Sequence, residues 1–250
     1  MIKATVALPL WNVKDIAWLV MESLCNQKLV DFQWELIVFE EKQKNKLGLD
    51  WFRKYSERLH KVGCARLQFL SDDQRVTLSE KWERIGKRAD KDSVFYMITA
   101  ADDYYHPYSL HDSMMAINSG YDWFYTYKAY FYDFNYNKII LYNKPSSLGY
   151  TGIQMSVATE LARKLPAQKK FKNINLWFSR NSNPQKPYKD LGDHWSGTLC
   201  TNGLNNISTK RWKYFVNTHY PFQSTNAQLT DIVPDDIANR LLGLSVKVRS

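Results

Sequence analysis

The sequence has no glycine-rich phosphate loop, no long apolar run and no disulfide framework. Only 10 of its 250 residues are glycine, and neither GxGxxG nor GxxxxGK(S/T) occurs, which excludes the backbone cradles that such motifs build for phosphates. No run of 18 or more apolar residues is present, which argues against a membrane-spanning helix. The N-terminal ATVALPL is too short for a signal peptide and lacks a small-residue cleavage site; it reads as a strand. Cys25, Cys64 and Cys200 are odd in number and widely spaced, so neither a disulfide scaffold nor a cysteine metal site is expected and a reducing, cytoplasmic setting follows. Internal repeats and long linkers are also missing, so we expect one domain over 1–250 with halves at 1–120 and 121–250.

Hydrophobic residues make up 44% of the chain and aromatics 15%, enough for a large core and too much for a disordered chain. The net charge of +9 is concentrated. Between Leu161 and Lys189 lie eight basic residues (Arg163, Lys164, Lys169, Lys170, Lys172, Arg180, Lys186, Lys189) and no acid, leaving +1 for everything else. Such a run suits a polyanion, either nucleic acid or an anionic membrane. The plain alternative is a solvated loop.

The first 120 residues alternate between strand and helix periods. Strands are expected at 4–10, 34–40, 65–70 and 93–99, and helices at 13–27, 49–62, 79–89 and 107–117. Strands apolar on both faces and separated by helices indicate a parallel sheet covered on both sides. After Gly120 the pattern turns to aromatic, alternating strands, read as antiparallel additions to that sheet. The tail DIVPDDIANRLLGLSVKVRS offers a short helix and a final strand.

In an open parallel sheet, ligands bind outside the carboxyl ends of the strands. Those ends carry Pro9-Leu10-Trp11-Asn12, Glu40-Glu41 and Asp102-Asp103. Four carboxylates along one edge repel one another and raise each other's pKa values. A divalent cation with a bound diphosphate resolves that conflict, since Mg²⁺ or Mn²⁺ takes hard oxygen ligands from one or two carboxylates plus phosphates. The plain alternatives are a helix cap at Asp102-Asp103 and a solvated strand end at Glu40-Glu41.

Taken together, ATVALPLWN, LVMESLCNQ, WELIVFEE and ITAADDYYHPYSL resemble the nucleotide-binding half of family 2 glycosyltransferases with the GT-A fold, over about residues 3–118. The resemblance implies an α/β, Rossmann-like, mostly parallel sheet with a loop-rich acceptor half. It further implies transfer of a sugar from a nucleotide-sugar, UDP-linked, with Mn²⁺ or Mg²⁺ and inversion at the sugar. By position, Pro9 and Trp11 would border the nucleobase, Glu40 and Glu41 would stand where an Asp pair contacts base and ribose, and Lys81 would approach the donor. Asp102 matches the second Asp of D-x-D, the metal ligand, with Asp103 beside it. The sequence departs from the pattern at Ala100, where the first D-x-D carboxylate would be, and in having Glu for Asp at 40 and 41. For the base that deprotonates the acceptor, Asp236 in VPDDIANRLLGL fits the family's acidic pair at a helix start. An ordinary dipole-favoured helix start is its alternative. Asp193 in GDHWSG is the rival base, and His194 and His219 are candidates to complete the metal shell.

The acceptor has to be read from the second half. Lys169, Lys170, Lys172 and Arg180 are interleaved with Phe171, Trp177, Phe178 and Tyr188. Basic residues track phosphates while aromatic faces stack on unpaired bases, so the first expectation is transfer to a hydroxymethylated base flipped out of DNA. Alternatives are a cell-surface polysaccharide or lipid-linked glycan, and a non-catalytic nucleic-acid-binding protein on a transferase scaffold.

Overall fold

The computed structural model describes residues 1–126, 128–143, 154–165, 189–190, 199–202 and 222–249. Its strands are β1 (Ile2–Leu10), β2 (Gln33–Glu40), β3 (Cys64–Ser71), β4 (Phe95–Ile98), β5 (Asp103–Tyr104), β6 (Trp123–Thr126), β7 (Lys128–Asp133), β8 (Lys138–Asn143), β9 (Gln154–Ala158), β10 (Lys189–Asp190), β11 (Leu199–Asn202) and β12 (Phe222–Ser224). The helices are α1 (Trp18–Cys25), α2 (Leu49–Arg53), α3 (Ser56–Lys61), α4 (Leu78–Arg88), α5 (Ser109–Asn118), α6 (Thr159–Arg163) and α7 (Asp235–Arg249). Seven strands form one sheet in the order β10-β6-β9-β4-β1-β2-β3. β1 lies parallel to β2 and β4, and β2 to β3, whereas β9 runs against both β4 and β6.

Alternation along β1 explains the cover on both faces. Ala4, Val6, Leu8 and Leu10 point into one core with Val20, Met21 and Leu24 of α1, Phe52, Leu59 and Leu110. Ala7 points into the other, with Ile85 of α4 and Leu161 and Ala162 of α6. The amino end of this sheet is closed by a buried carboxylate. Glu35 accepts hydrogen bonds from Thr5 Oγ1 (2.8 Å), Asp90 N (2.7 Å), Gln68 Nε2 (2.8 Å) and two nitrogens of Arg66 (2.9 and 2.7 Å).

Three expectations need correction. The aromatic segment after Gly120 does not simply extend the main sheet. β6 joins it, but β7 and β8 pair as a hairpin in a second sheet of order β12-β8-β7-β11-β5. The expected helix at 49–62 breaks at residues 54–55, giving α2 and α3. The expected final strand is instead the second half of α7. Leu241 is buried there, and Ser245 Oγ bonds the carbonyl of Phe134 (2.8 Å), so packing on the second sheet overrides the β-branched residues' preference. No helix among the described residues is long and apolar enough to cross a membrane.

Two glycines in helices give opposite expectations. A Cβ on Gly86 would lie 2.9 Å from the carbonyl oxygen of Ala162 in α6, whereas one on Gly243 would meet nothing within 4 Å. Gly86→Ala should therefore lower stability by about 1–3 kcal/mol through overpacking, despite its better helix propensity. Gly243→Ala should raise stability by about 0.5–1 kcal/mol. Denaturant midpoints of the two variants check both signs.

Candidate functional site

The carboxyl ends of β1 and β2 are joined by a buried ion pair. Lys81, from the first turns of α4, is 3% exposed. Its Nζ donates to Glu41 Oε1 (2.8 Å) and to the carbonyl of Leu10 (2.9 Å). The other oxygen of Glu41 accepts the amide of Val76 (2.7 Å). Burial lowers the Lys81 pKa while the Glu41 carboxylate opposes that shift. α4 is aimed at this point by a capping box in TLSE. Thr77 accepts the amide of Glu80, and the Glu80 carboxylate accepts the amide of Thr77 (2.8 Å).

Glu40 is committed differently. Its carboxylate accepts Leu47 N (2.8 Å), Gly48 N (3.0 Å) and Gln43 Nε2 (2.7 Å), so it holds the loop that follows β2. The Gln43 carbonyl oxygen in turn accepts the amide of Asn12, where the chain leaves β1 at a φ of 53°.

Against the Lys81 pair lies a cleft of about 730 Å³, lined by Trp11, Glu41, Lys81, Gln74, Arg75 and Arg84 together with Val76 and Thr77. Trp11, Glu41 and Lys81 are thus brought together as the sequence suggests. Pro9 and Glu40 do not line the cleft; Pro9 is buried inside β1, past its last pairing with β4 at Ala7. Gln74, Arg75, Val76 and Thr77 do not stand out in the sequence. Their signal is the strand-end rule itself, because Asp72-Asp73-Gln74-Arg75 follows β3 as Glu40-Glu41 closes β2.

The second feature of this edge is the turn after β4. Thr99 donates to the carbonyl of Ala7 through both its amide (3.1 Å) and Oγ1 (2.7 Å), and the Ala100 amide donates to the Tyr105 hydroxyl (2.6 Å). The two carboxylates of the turn differ in environment. Asp102 is half-buried, and its carbonyl accepts Thr201 Oγ1 (2.7 Å). Asp103 lies buried in β5, paired with Cys200 of β11. Burial, then repulsion by Asp102, hold the Asp103 carboxyl well above the usual carboxylate range, against the Cys200 thiol and Thr201 amide that bond it. Among the described residues no group of three or more His, Cys, Asp and Glu side chains is arranged to hold a metal ion.

Asp236 opens α7, exposed, and lines a separate pocket of about 500 Å³ with Glu22, Asn26, Arg58 and Tyr104. No residue lines both this pocket and the cleft. Asp193, His194, His219, Lys169, Lys170, Lys172 and Arg180 lie outside the described residues. All three cysteines are free and buried. Burial pushes the Cys25 and Cys64 thiols up to about 11 and about 12, which removes them as nucleophiles at neutral pH.

The buried pair is testable by a double-mutant cycle. Lys81→Met strands the Glu41 carboxylate without its counter-charge and should cost about 3–5 kcal/mol. The Glu41→Gln/Lys81→Met double variant should recover much of that loss. Additive denaturation energies would show that the pair does not act as a unit.

No protein-family model and no curated protein matches the sequence, but solved structures match the architecture. S. aureus TarS 1–349 in complex with UDP-GlcNAc superposes with a TM-score of 0.59 at 13% identity, covering 99% of this chain and 72% of that one. The complex of the same protein with UDP gives 0.57 at 16% identity, with 99% and 81% covered. The mannosyltransferase PcManGT from Pyrobaculum calidifontis, in complex with GDP-Man and Mn²⁺, gives 0.57 at 12% identity, with 98% and 73% covered. At such identities the likeness is one of fold alone: this chain has the GT-A architecture of these glycosyltransferase structures.

Proposed function

We propose that the chain is a metal-dependent glycosyltransferase that moves a sugar from a UDP-linked donor to an acceptor hydroxyl. One observation carries this reading. The Trp11–Arg75 cleft and the Asp102 turn stand at the carboxyl ends of β1, β2 and β4, neighbours in one parallel sheet, which is where such folds bind nucleotides. The neighbours' ligands, UDP, UDP-GlcNAc and GDP-Man with Mn²⁺, support a nucleotide-sugar donor and a divalent cation.

The Asp102 turn fits a cation held by few protein ligands. Ala100 offers no carboxylate and Asp103 is buried against Cys200, so among the described residues Asp102 would hold the ion. Donor phosphates would supply further oxygens, a mode common for hard divalent ions, and His194, the other candidate ligand, lies outside the described residues. When bound, the cation neutralises charge developing on the leaving diphosphate. Trp11 offers the base a flat face, and the Lys81–Glu41 pair keeps that face in place. Asp236 is our candidate for the base that takes the acceptor proton, with Asp193 as its rival. It shares its pocket with Tyr104, two residues beyond Asp102. The DNA acceptor drawn from the basic run has no structural support, because Lys169, Lys170, Lys172 and Arg180 lie outside the described residues. A glycan hydroxyl stands as the acceptor to assay first, with hydroxymethylated DNA as the comparison.

A thermal-shift series with UDP- and GDP-sugars, with and without Mn²⁺, tests the donor. The expected result is a Mn²⁺-dependent rise in Tm with a UDP-sugar that Asp102→Asn abolishes; silence with every nucleotide overturns the reading. Asp236→Asn separates the roles further. If Asp236 is the base, donor binding persists while transfer falls on the order of 10²–10⁴-fold, and unchanged transfer passes the role to Asp193.

A further inference from the structure

Most charged groups in the cleft are already answered by a neighbour. Glu41 holds Lys81, Glu80 closes the capping box on Thr77, and Arg84 is paired with Asp72. Arg75 differs. It is exposed, and among the described residues no carboxylate lies within ion-pair distance of it. Its guanidinium instead sits over the Trp11 ring, 4.9 Å from the centroid. The flat face best suited to a planar base is therefore covered by the lining cation best suited to a phosphate.

We propose that Arg75 changes partners when the donor enters, and so couples recognition of the base to recognition of the diphosphate. This rests on the nucleotide-sugar reading of the cleft. In the structure Arg75 lies on Trp11. In the bound state the base takes the ring face and the guanidinium turns to the diphosphate, a ribose away. Magnitudes set the direction of the exchange. An exposed cation–π contact is worth about 2- to 5-fold in an equilibrium. Stacking of a base on an aromatic side chain is worth about 5- to 150-fold. The displaced guanidinium then gains paired hydrogen bonds to phosphate oxygens, for which its planar fork is suited. A nucleoside without phosphates has to evict Arg75 with no such return, so the residue selects diphosphates over nucleosides.

The test is calorimetric binding of uridine and of UDP, each with Mn²⁺, to the wild-type chain and to Arg75→Ala and Arg75→Lys. Arg75→Ala should bind uridine about 2- to 5-fold more tightly, because the ring face is uncovered. It should bind UDP roughly 10-fold or more weakly, because a charged hydrogen-bond donor is lost. Arg75→Lys should keep part of the UDP affinity as a point charge. Opposite signs for the two ligands are the signature, and a residue that merely shapes the loop would not produce them. If wild type binds UDP and Arg75→Ala shifts uridine and UDP the same way, or neither, the exchange is overturned while the nucleotide site stands. If wild type binds no nucleoside diphosphate at all, the nucleotide-sugar reading falls and takes this one with it.

Discussion

The ammonium of Lys81 is the point on which the carboxyl edge of the sheet depends. It lies between the last carbonyl of β1 and the carboxylate that follows β2, and it arrives on the first turns of α4. Removing two charges from water costs several kcal/mol per ion, which only close geometry and further hydrogen bonds offset. Here both are present, because Glu41 also takes the amide of Val76. Two strand ends, the loop after β3 and a helix are thereby fixed against one another, and the cleft is the gap they leave. Trp11 has a stable place to present its ring because Leu10, its neighbour in the chain, is one of the tethered groups.

The opposite edge follows the same chemistry to another end. Glu35 at the start of β2 is fully buried and collects five hydrogen bonds from β1, β3 and the chain before β4. A fully satisfied buried carboxylate of this kind specifies register. Glu40, the last residue of the same element, repeats the device for a loop. β2 thus carries three buried carboxylates with its successor residue Glu41, and each is assigned to a different neighbour.

Much of this was legible in the order of residues. The parallel sheet could be read from β1, β2 and β4 because strands buried on both faces are written as unbroken apolar runs. The strand-end rule led to Trp11, Glu41 and Asp102. The rule does not say which carboxylates face a ligand and which face the protein. Glu40 and Glu41 look alike in sequence, yet one is bound to the backbone of residues 47 and 48 and the other to a lysine. That distinction depends on contacts between residues far apart in the chain. Asp103 and Asp102 are likewise indistinguishable in the sequence, and what separates them is pairing with Cys200. The tail misled for a related reason: Val246 and Val248 favour a strand, and only packing of Leu241 and Ser245 on the second sheet makes the segment helical.

The contact of Thr201 with Asp102 bears on how the molecule is made. The two residues are 99 apart in the chain, and β11, which carries Thr201, also pairs with β5 and β7. On a ribosome working at 5–20 residues per second, Thr201 emerges roughly 5–20 s after Asp102. The cleft has no such wait, since Trp11, Glu41, Arg75 and Lys81 all lie within the first 81 residues. The nascent chain can therefore assemble the base end of the site well before the carboxylate turn acquires its support. Its two ends have different birthdays.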